Sequence, residues 1–235
     1  MKIQDSVVFI TGANRGLGLA FAKAALAAGA RKVYGAARDP GSVTLAGVTP
    51  VALDVTQPAQ TEAAVRACGD VSLLVNNAGI SRGSNLLGPE SVEAARAEFE
   101  TNFFGPWALA RAFAPVLAGN GGGAIVNVLS ALSWTTFPSV ATYSTTKSAA
   151  WSLSNGLRNE LASQGTQVVS VHVGYMDTDM AAHVDGPKTS PDEVARLALQ
   201  GVEAGRPEVL ADEVSRQLKQ GFSSETPPYA AVPGR

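Results

Sequence analysis

Thr11-Gly12-Ala13-Asn14-Arg15-Gly16-Leu17-Gly18 stands between an apolar run, Val7–Ile10, and an alanine-rich stretch of helical spacing, Leu17–Ala28. Glycines here let the backbone turn sharply out of a strand and come close to a pyrophosphate, which would then face the N–H groups and positive dipole end of the following helix. Taken alone, the spacing is weak. The chain has 235 residues and 24 glycines, and at that frequency three in a fixed arrangement arise by accident in roughly one chain of four. A strand-to-helix turn that binds nothing would look the same, so the surroundings of the turn have to decide.

Outward from the turn, short apolar runs rich in β-branched residues recur at Val33–Ala37, Val51–Val55, Leu73–Asn76, Ala124–Leu129, Val168–Val173 and Glu208–Leu210. Between them lie Thr61–Ala67, Glu90–Ala118, Tyr143–Gln164 and Pro191–Ala204, all of helical spacing. The strands show no apolar/polar alternation, as expected where both faces are covered. The pattern predicts an α/β fold, a doubly wound parallel sheet with helices on both faces, whose first strand-to-helix turn is the customary nucleotide position. No Ser/Pro/Gly-rich linker divides residues 1–235, so one domain is expected, with Thr226–Arg235 and its three prolines as a flexible tail. Glu90–Ala118 is too long for one uninterrupted helix, and Pro106 marks a kink or boundary inside it.

Composition narrows the function classes. Hydrophobic residues make up 46% and charged residues 16%, against about a quarter charged in an average domain, which excludes disorder and allows a sizeable core. Eighteen basic against twenty acidic residues leave a net charge of −2, too balanced for a nucleic-acid partner. Cys68 is the only cysteine, and with two histidines the usual His/Cys zinc sites are excluded, while a carboxylate metal site stays open. The opening Met1–Ile10 does not read as a secretory signal. The apolar stretch from Phe103 is cut at Arg111, short of the roughly 18 residues of a membrane span. The expectation is a cytoplasmic protein with no membrane partner.

Three motifs then coincide in order: Thr-Gly-x-x-x-Gly-x-Gly from Thr11, Asn76-Asn77-Ala78-Gly79 after the fourth strand, and Tyr143-x-x-x-Lys147. Together they resemble the classical short-chain dehydrogenases/reductases, from about Ile3 to Pro207. The resemblance implies a Rossmann-type fold, a nicotinamide dinucleotide and hydride transfer. By it, Gly12, Asn14, Arg15, Gly16, Leu17 and Gly18 hold the phosphates, while Asn76, Ala78 and Gly79 line the adenine ribose and the middle of the cofactor. Asp54-Val55 closes the third strand, where the family's carboxylate bonds the adenine amino group, although a turn role for Asp54 is nearly as good a reading. The second strand ends Ala36-Ala37-Arg38-Asp39. With Ala37 at the discriminating position, no carboxylate repels a 2′-phosphate, and Arg38 and Arg15 can pair with it. NADP(H) is therefore expected over NAD(H), which a one-residue shift onto Asp39 would favour instead. Simple surface solvation is the competing account of both arginines.

Tyr143 and Lys147 lie one helical turn apart on one face. Ser130 precedes Tyr143 by thirteen residues, matching the family's Ser…Tyr-x-x-x-Lys arrangement, and Asn102 matches its helix asparagine. By the resemblance, Tyr143 donates the proton to the developing alkoxide, and Ser130 orients the substrate oxygen. Lys147 lowers the phenol pKa and bonds the nicotinamide ribose, while Asn102 holds a relay water. The alternative for Asn102 is a helix-kink residue bonding its own backbone. After the sixth strand, Gly174 and Thr178 match positions contacting the nicotinamide end, but Val173 replaces the family's proline, which bears on the rigidity of that loop.

Leu132, Trp134, Phe137, Tyr175, Met176 and Met180 flank this chemistry and form either an apolar pocket or core. A pocket would favour ketones or aldehydes with hydrophobic or aromatic groups. Trp107 and Phe113 lie where similar proteins pair subunits, giving a homodimer or homotetramer, unless both are internal packing. A non-catalytic dinucleotide sensor would have little need of Asn102, Ser130, Tyr143 and Lys147 together. A serine hydrolase built on Ser130 and His172 would need a Gly-x-Ser-x-Gly turn, which is missing. An alcohol oxidiser, dehydratase or epimerase of the same fold is the nearer rival.

Overall fold

The computed structural model describes residues 1–230. Seven strands, β1 (Val7–Thr11), β2 (Lys32–Ala37), β3 (Val48–Ala52), β4 (Leu73–Asn76), β5 (Ala124–Val128), β6 (Gln167–His172) and β7 (Glu208–Leu210), form one sheet in the order 3-2-1-4-5-6-7. Every pairing is parallel. Parallel neighbours need crossovers, and here these are helices. Helices α1 (Gly16–Ala27) and α6 (Pro191–Glu203) pack together on one face. Helices α2 (Pro58–Ala67), α4 (Gly105–Gly119) and α5 (Ala141–Glu160) cover the other, with α3 (Ser91–Phe99) against α5. The expected doubly wound architecture is what forms.

Each face has its own apolar layer. Val8, Ile10, Phe21, Val171 and Val202 fill one, while Phe9, Leu74, Leu109, Phe113 and Ile125 fill the other, all fully buried. Phe113 meets Phe9 at a tilt, with ring centroids 5.0 Å apart, so it is core rather than a subunit contact. Each such side chain contributes about 1.5–3 kcal/mol of transfer free energy.

Three boundaries differ from the sequence reading. Strand β3 runs Val48–Ala52, not Val51–Val55, so Asp54 and Val55 lie beyond the strand rather than closing it. Pro50 hid this strand, but its missing N–H is harmless at the sheet edge that β3 forms. The long helical segment is α3 and α4 joined through a π-helical turn, Glu100–Phe104, so the irregularity precedes Pro106. Pro106 has no N–H to offer the Asn102 carbonyl four residues back, and widening of the helix there accommodates the loss. Finally, α7 (Glu213–Gln220), capped by Asp212 Oδ1 accepting the Ser215 N–H at 2.8 Å, was absent from the sequence reading. Of the expected flexible tail, Pro228–Ala230 form a 3-10 turn, and 231–235 lie outside the described residues. No described helix is long and apolar enough to cross a membrane.

Candidate active site

The strand order reverses between β1 and β4, and ligands of doubly wound sheets bind in the crevice at such a point, outside the carboxyl ends of the strands. The glycine turn lies there. Gly12 takes φ +65°, a left-handed conformation suited to glycine. Helix α1 begins at Gly16 with Arg15 as its N-cap and no side-chain cap, which leaves its first N–H groups free for an anion. These features fit a dinucleotide pyrophosphate.

The turn is braced by two motif residues to which the sequence reading gave no role. Thr11 Oγ1 accepts the N–H groups of Asn77 and Ala78, each at 2.9 Å, and Asn77 Nδ2 donates to the carbonyls of Thr11 (2.9 Å) and Gly12 (3.3 Å). A threonine just before the first glycine and the second residue of Asn76-Asn77 were the available signals. Asn76 itself turns inward, donating to Asn127 Oδ1 at 2.9 Å, and its side chain is buried instead of lining the crevice. Asp54 takes the turn role: its Oδ1 accepts the N–H (3.0 Å) and hydroxyl (2.8 Å) of Thr56 ahead of α2. Val55 packs against Gly105, where a Cβ would lie 2.9 Å from Val55 Cγ2.

Ser130, Tyr143, Lys147 and Asn102 come together at the ends of β4 and β5. Ser130 is buried just past β5, its Oγ accepting the Leu132 N–H at 3.1 Å. Tyr143 sits in the first turn of α5, and Lys147 places its Nζ 5.5 Å from the Tyr143 ring centroid while donating to the Val128 carbonyl at 2.9 Å. Asn102 does not bond its own backbone. It accepts the Ile80 N–H and donates to the Ile80 carbonyl, both at 2.9 Å, and donates to Thr146 Oγ1 at 3.0 Å. It thereby fixes the loop after β4 to α5. A Cβ on Gly79 would lie 3.2 Å from Asn102 Oδ1 and 3.8 Å from Lys147 Nζ, so that glycine borders both groups. Beneath them a cavity of about 10 Å³ is bounded by Asn76, Asn102, Asn127 and Lys147 among others, and Asn76 Oδ1 has no partner among the described residues.

Burial dominates the electrostatics. It pushes the Lys147 ammonium down to about 8. It also raises the Tyr143 phenol well above its usual value; the Glu98 charge adds to this, and a hydrogen bond with Ser130 opposes it. The balance on Tyr143 therefore runs upward in this structure, with no lowering by Lys147. Glu98 is a further residue that sequence reasoning missed. It is fully buried on α3, accepts the Arg82 N–H at 2.6 Å through Oε1, and has no partner for Oε2 among the described residues. Nothing in a helical run of mixed charge marks it.

The loop after β6 reaches across to the glycine turn. Gly174 donates its N–H to Asp212 Oδ2 at 2.6 Å, and Met176 bridges Thr189, so bonds to the chain supply the stiffness a proline would have given Val173. Thr178 lies beside Gly16, and Arg15 pairs with Asp179 at 2.6 Å, both side chains mostly exposed. Phe137, Tyr175 and Met180 are about half exposed around this opening. Trp134 is core, stacked on His172. His172 faces the Ser130 carbonyl, not its hydroxyl, which removes the hydrolase pairing.

A family model described as short chain dehydrogenase matches residues 6–188. The chain is 31% identical over 240 aligned positions to the dehydrogenase/reductase SDR family member 7B of Xenopus tropicalis, covering 88% of this chain and 77% of that one. It is 31% identical over 215 positions to the 3-oxoacyl-[acyl-carrier-protein] reductase FabG of Vibrio cholerae, covering 88% and 85%. Among solved structures it is similar to a short chain dehydrogenase from Burkholderia cenocepacia J2315 in complex with NADP, at 40% identity and a TM-score of 0.92, covering 96% of this chain and 95% of that one.

Proposed function

This chain belongs to the short-chain dehydrogenase family and is an NAD(P)-dependent oxidoreductase, and on that footing we propose that it is an NADPH-dependent reductase of ketones or aldehydes bearing hydrophobic or aromatic groups. The observation that carries this reading is the convergence of Ser130, Tyr143, Lys147 and Asn102 on one edge of the crevice. A bound nicotinamide supplies the hydride at the substrate carbon. Tyr143 donates its proton to the carbonyl oxygen, and Ser130 hydrogen-bonds the same oxygen and orients it. A buried phenol with a raised pKa keeps its proton at neutral pH, which suits the reductive direction. Lys147, pushed down to about 8, exchanges its proton close to physiological pH and so can restore that of Tyr143. The cavity of about 10 Å³ below it has room for one relay water.

Gly12, Asn14, Gly16, Leu17 and Gly18 would hold the pyrophosphate, Lys147 the nicotinamide ribose, and Gly174 and Thr178 the nicotinamide end. NADPH is favoured over NADH because Ala37 ends β2 without a carboxylate, and Asp39 is committed elsewhere, its Oδ1 accepting the Gly41 N–H at 2.9 Å. Arg38 is exposed and makes no ion pair among the described residues. The NADP-bound neighbour supports the same choice. Half-exposed Phe104 and Trp107 on the outer face, with Leu86 and Val92 nearby, support self-association. The direct experiment follows NADPH and NADH oxidation against a panel of ketones, aldehydes and hydroxysteroids. NADPH-dependent reduction of apolar carbonyls is expected; tight cofactor binding without turnover anywhere in the panel would replace this reading with a dinucleotide sensor.

Two further results are expected. An Asp179→Asn variant frees Arg15, so the NADPH dissociation constant should fall by up to about fivefold, the scale of an exposed ion pair, with little change for NADH. Isothermal titration with both cofactors checks this, and equal effects on the two would remove Arg15 from the 2′-phosphate. Glu98→Gln keeps an acceptor for the Arg82 N–H but removes the charge that disfavours the phenolate. Alcohol oxidation needs Tyr143 deprotonated, so its rate profile should move to lower pH; a profile that stays in place would take Glu98 out of the site's electrostatics.

A further inference from the structure

We propose that His172 is a positioning residue for Ser130, holding the backbone of the serine by its carbonyl so that the hydroxyl faces the substrate oxygen. The inference rests on the catalytic reading of Ser130 given above. His172 ends β6 and is fully buried, with Nδ1 3.1 Å from the Ser130 carbonyl oxygen. That carbonyl lies past the end of β5. The ladder bonds on either side of it run from the Leu129 N–H to the Val171 carbonyl (2.8 Å) and from the Ala131 N–H to the Val173 carbonyl (2.9 Å). The Ser130 N–H is satisfied by Ser133 Oγ at 3.3 Å. The Ser130 carbonyl accepts the Ser133 N–H at 3.0 Å, and the histidine is its second donor, the one that ties it to β6.

The chemistry fixes the tautomer. A carbonyl oxygen only accepts, so Nδ1 carries the proton. Burial keeps the ring neutral, with its pKa pushed down to about 4, which leaves Nε2 bare; it has no hydrogen-bond partner among the described residues.

The ring is also held on its face. It stacks on Trp134, three residues beyond Ala131, with centroids 3.9 Å apart. Its bare Nε2 edge lies 3.7 Å from Glu208 Oε1, with no proton between them; Glu208 instead accepts the Trp151 indole N–H at 3.1 Å and pairs with Lys219 at 2.8 Å. Lys219, on α7, also lies over the Trp134 ring at 5.1 Å, and Phe222 meets the same indole edge-on at 5.5 Å. The segment after β7, beyond the residues matched by the family model, thus braces the shelf on which Ser130 sits.

His172→Leu removes one of the two donors to the Ser130 carbonyl and leaves the Ser133 N–H as the other. The expected result, with NADPH and whichever ketone of the panel turns over fastest, is a fall in kcat of roughly 5-fold to 100-fold at unchanged NADPH affinity. His172→Asn, whose amide N–H₂ occupies nearly the place of Nδ1, should recover most of that loss. Ser130→Ala is the parallel control. If Ser130→Ala is slow while His172→Leu keeps wild-type kcat, the positioning role is overturned and the catalytic reading survives. If Ser130→Ala is itself fully active, both are overturned. Equal losses in kcat and NADPH affinity, with no recovery in His172→Asn, would make the histidine merely structural and also overturn the proposal. Should His172→Leu fail to fold, nitrogen-15 NMR of the wild-type imidazole decides: a protonated Nδ1 with bare Nε2 supports the role, and the opposite tautomer overturns it.

Discussion

Replacing Tyr143 by phenylalanine is expected to lower carbonyl reduction about 100-fold to 10,000-fold, the range that a positioned proton donor contributes, while NADPH affinity and melting temperature stay near wild type. The change deletes one oxygen from a side chain whose ring keeps its packing beside Lys147 Nζ, 5.5 Å from the ring centroid. Loss of the hydroxyl removes the proton needed as negative charge develops on the substrate oxygen. The Ser130 hydroxyl cannot replace it, because its proton is not acidic enough to be given up near neutral pH, so it stabilises the oxygen without neutralising it. Steady-state kinetics with a fluorescence titration of NADPH would separate the two effects. Normal binding with full turnover across the panel would sink the acid role of Tyr143. A parallel loss of binding would instead point to damage at the crevice.

Physical scale explains which parts of this molecule were legible in its sequence. Strand and helix alternation is written in side-chain chemistry that burial on both sheet faces imposes, so β1, β2 and β4 through β7 were recognisable from runs of buried apolar residues. Strand β3 slipped because it is an edge strand with a half-exposed pattern and an internal Pro50, and its pairing partner β2 sets its register instead. Helix α7 went unread because, among its residues, only Ser215 is fully buried; its place is set by the Asp212 cap and by Lys219 reaching Glu208.

The candidate site divides in the same way. Tyr143, Lys147 and the glycine turn are carried by spacings within one turn or one helix, so short-range geometry already places them, whereas Ser130 was found by its match thirteen residues before Tyr143. Asn102 was found by its match, but its partners Ile80 and Thr146 come from distant parts of the chain. Glu98 and His172 leave no periodic trace at all. A buried carboxylate in a charged helical segment and a histidine at a strand end acquire meaning only when the fold encloses them. The direction of the Tyr143 shift is likewise a property of enclosure: desolvation, helped by the Glu98 charge, outweighs the Ser130 hydrogen bond, a balance that no sequence spacing encodes.

Enclosure also fixes the sign of two glycine-to-alanine exchanges, both in helices. A Cβ on Gly18 would fall 2.0 Å from the Gly12 carbonyl oxygen and 2.7 Å from Asn77 Nδ2. Neither neighbour can yield cheaply: the first is backbone of the turn itself, and the second is held by the carbonyls of Thr11 and Gly12. Gly18→Ala must therefore push α1 away from β1, opening the turn whose N–H groups would face the pyrophosphate. The expected outcome is a loss of about 1–3 kcal/mol in stability, as for overpacked cores, together with at least a tenfold weaker NADPH dissociation constant. Gly156, exposed on α5, has nothing within 4 Å of its added Cβ. There the exchange only restricts the unfolded chain and improves helix propensity, so Gly156→Ala should stabilise by about 0.5–1 kcal/mol and leave NADPH affinity untouched. Thermal melts and NADPH titrations of the two variants side by side separate a general response to added methyl groups from one specific to the turn. If Gly18→Ala melts and binds NADPH as the wild type does, the turn at Gly12–Gly18 is not the cofactor's cradle.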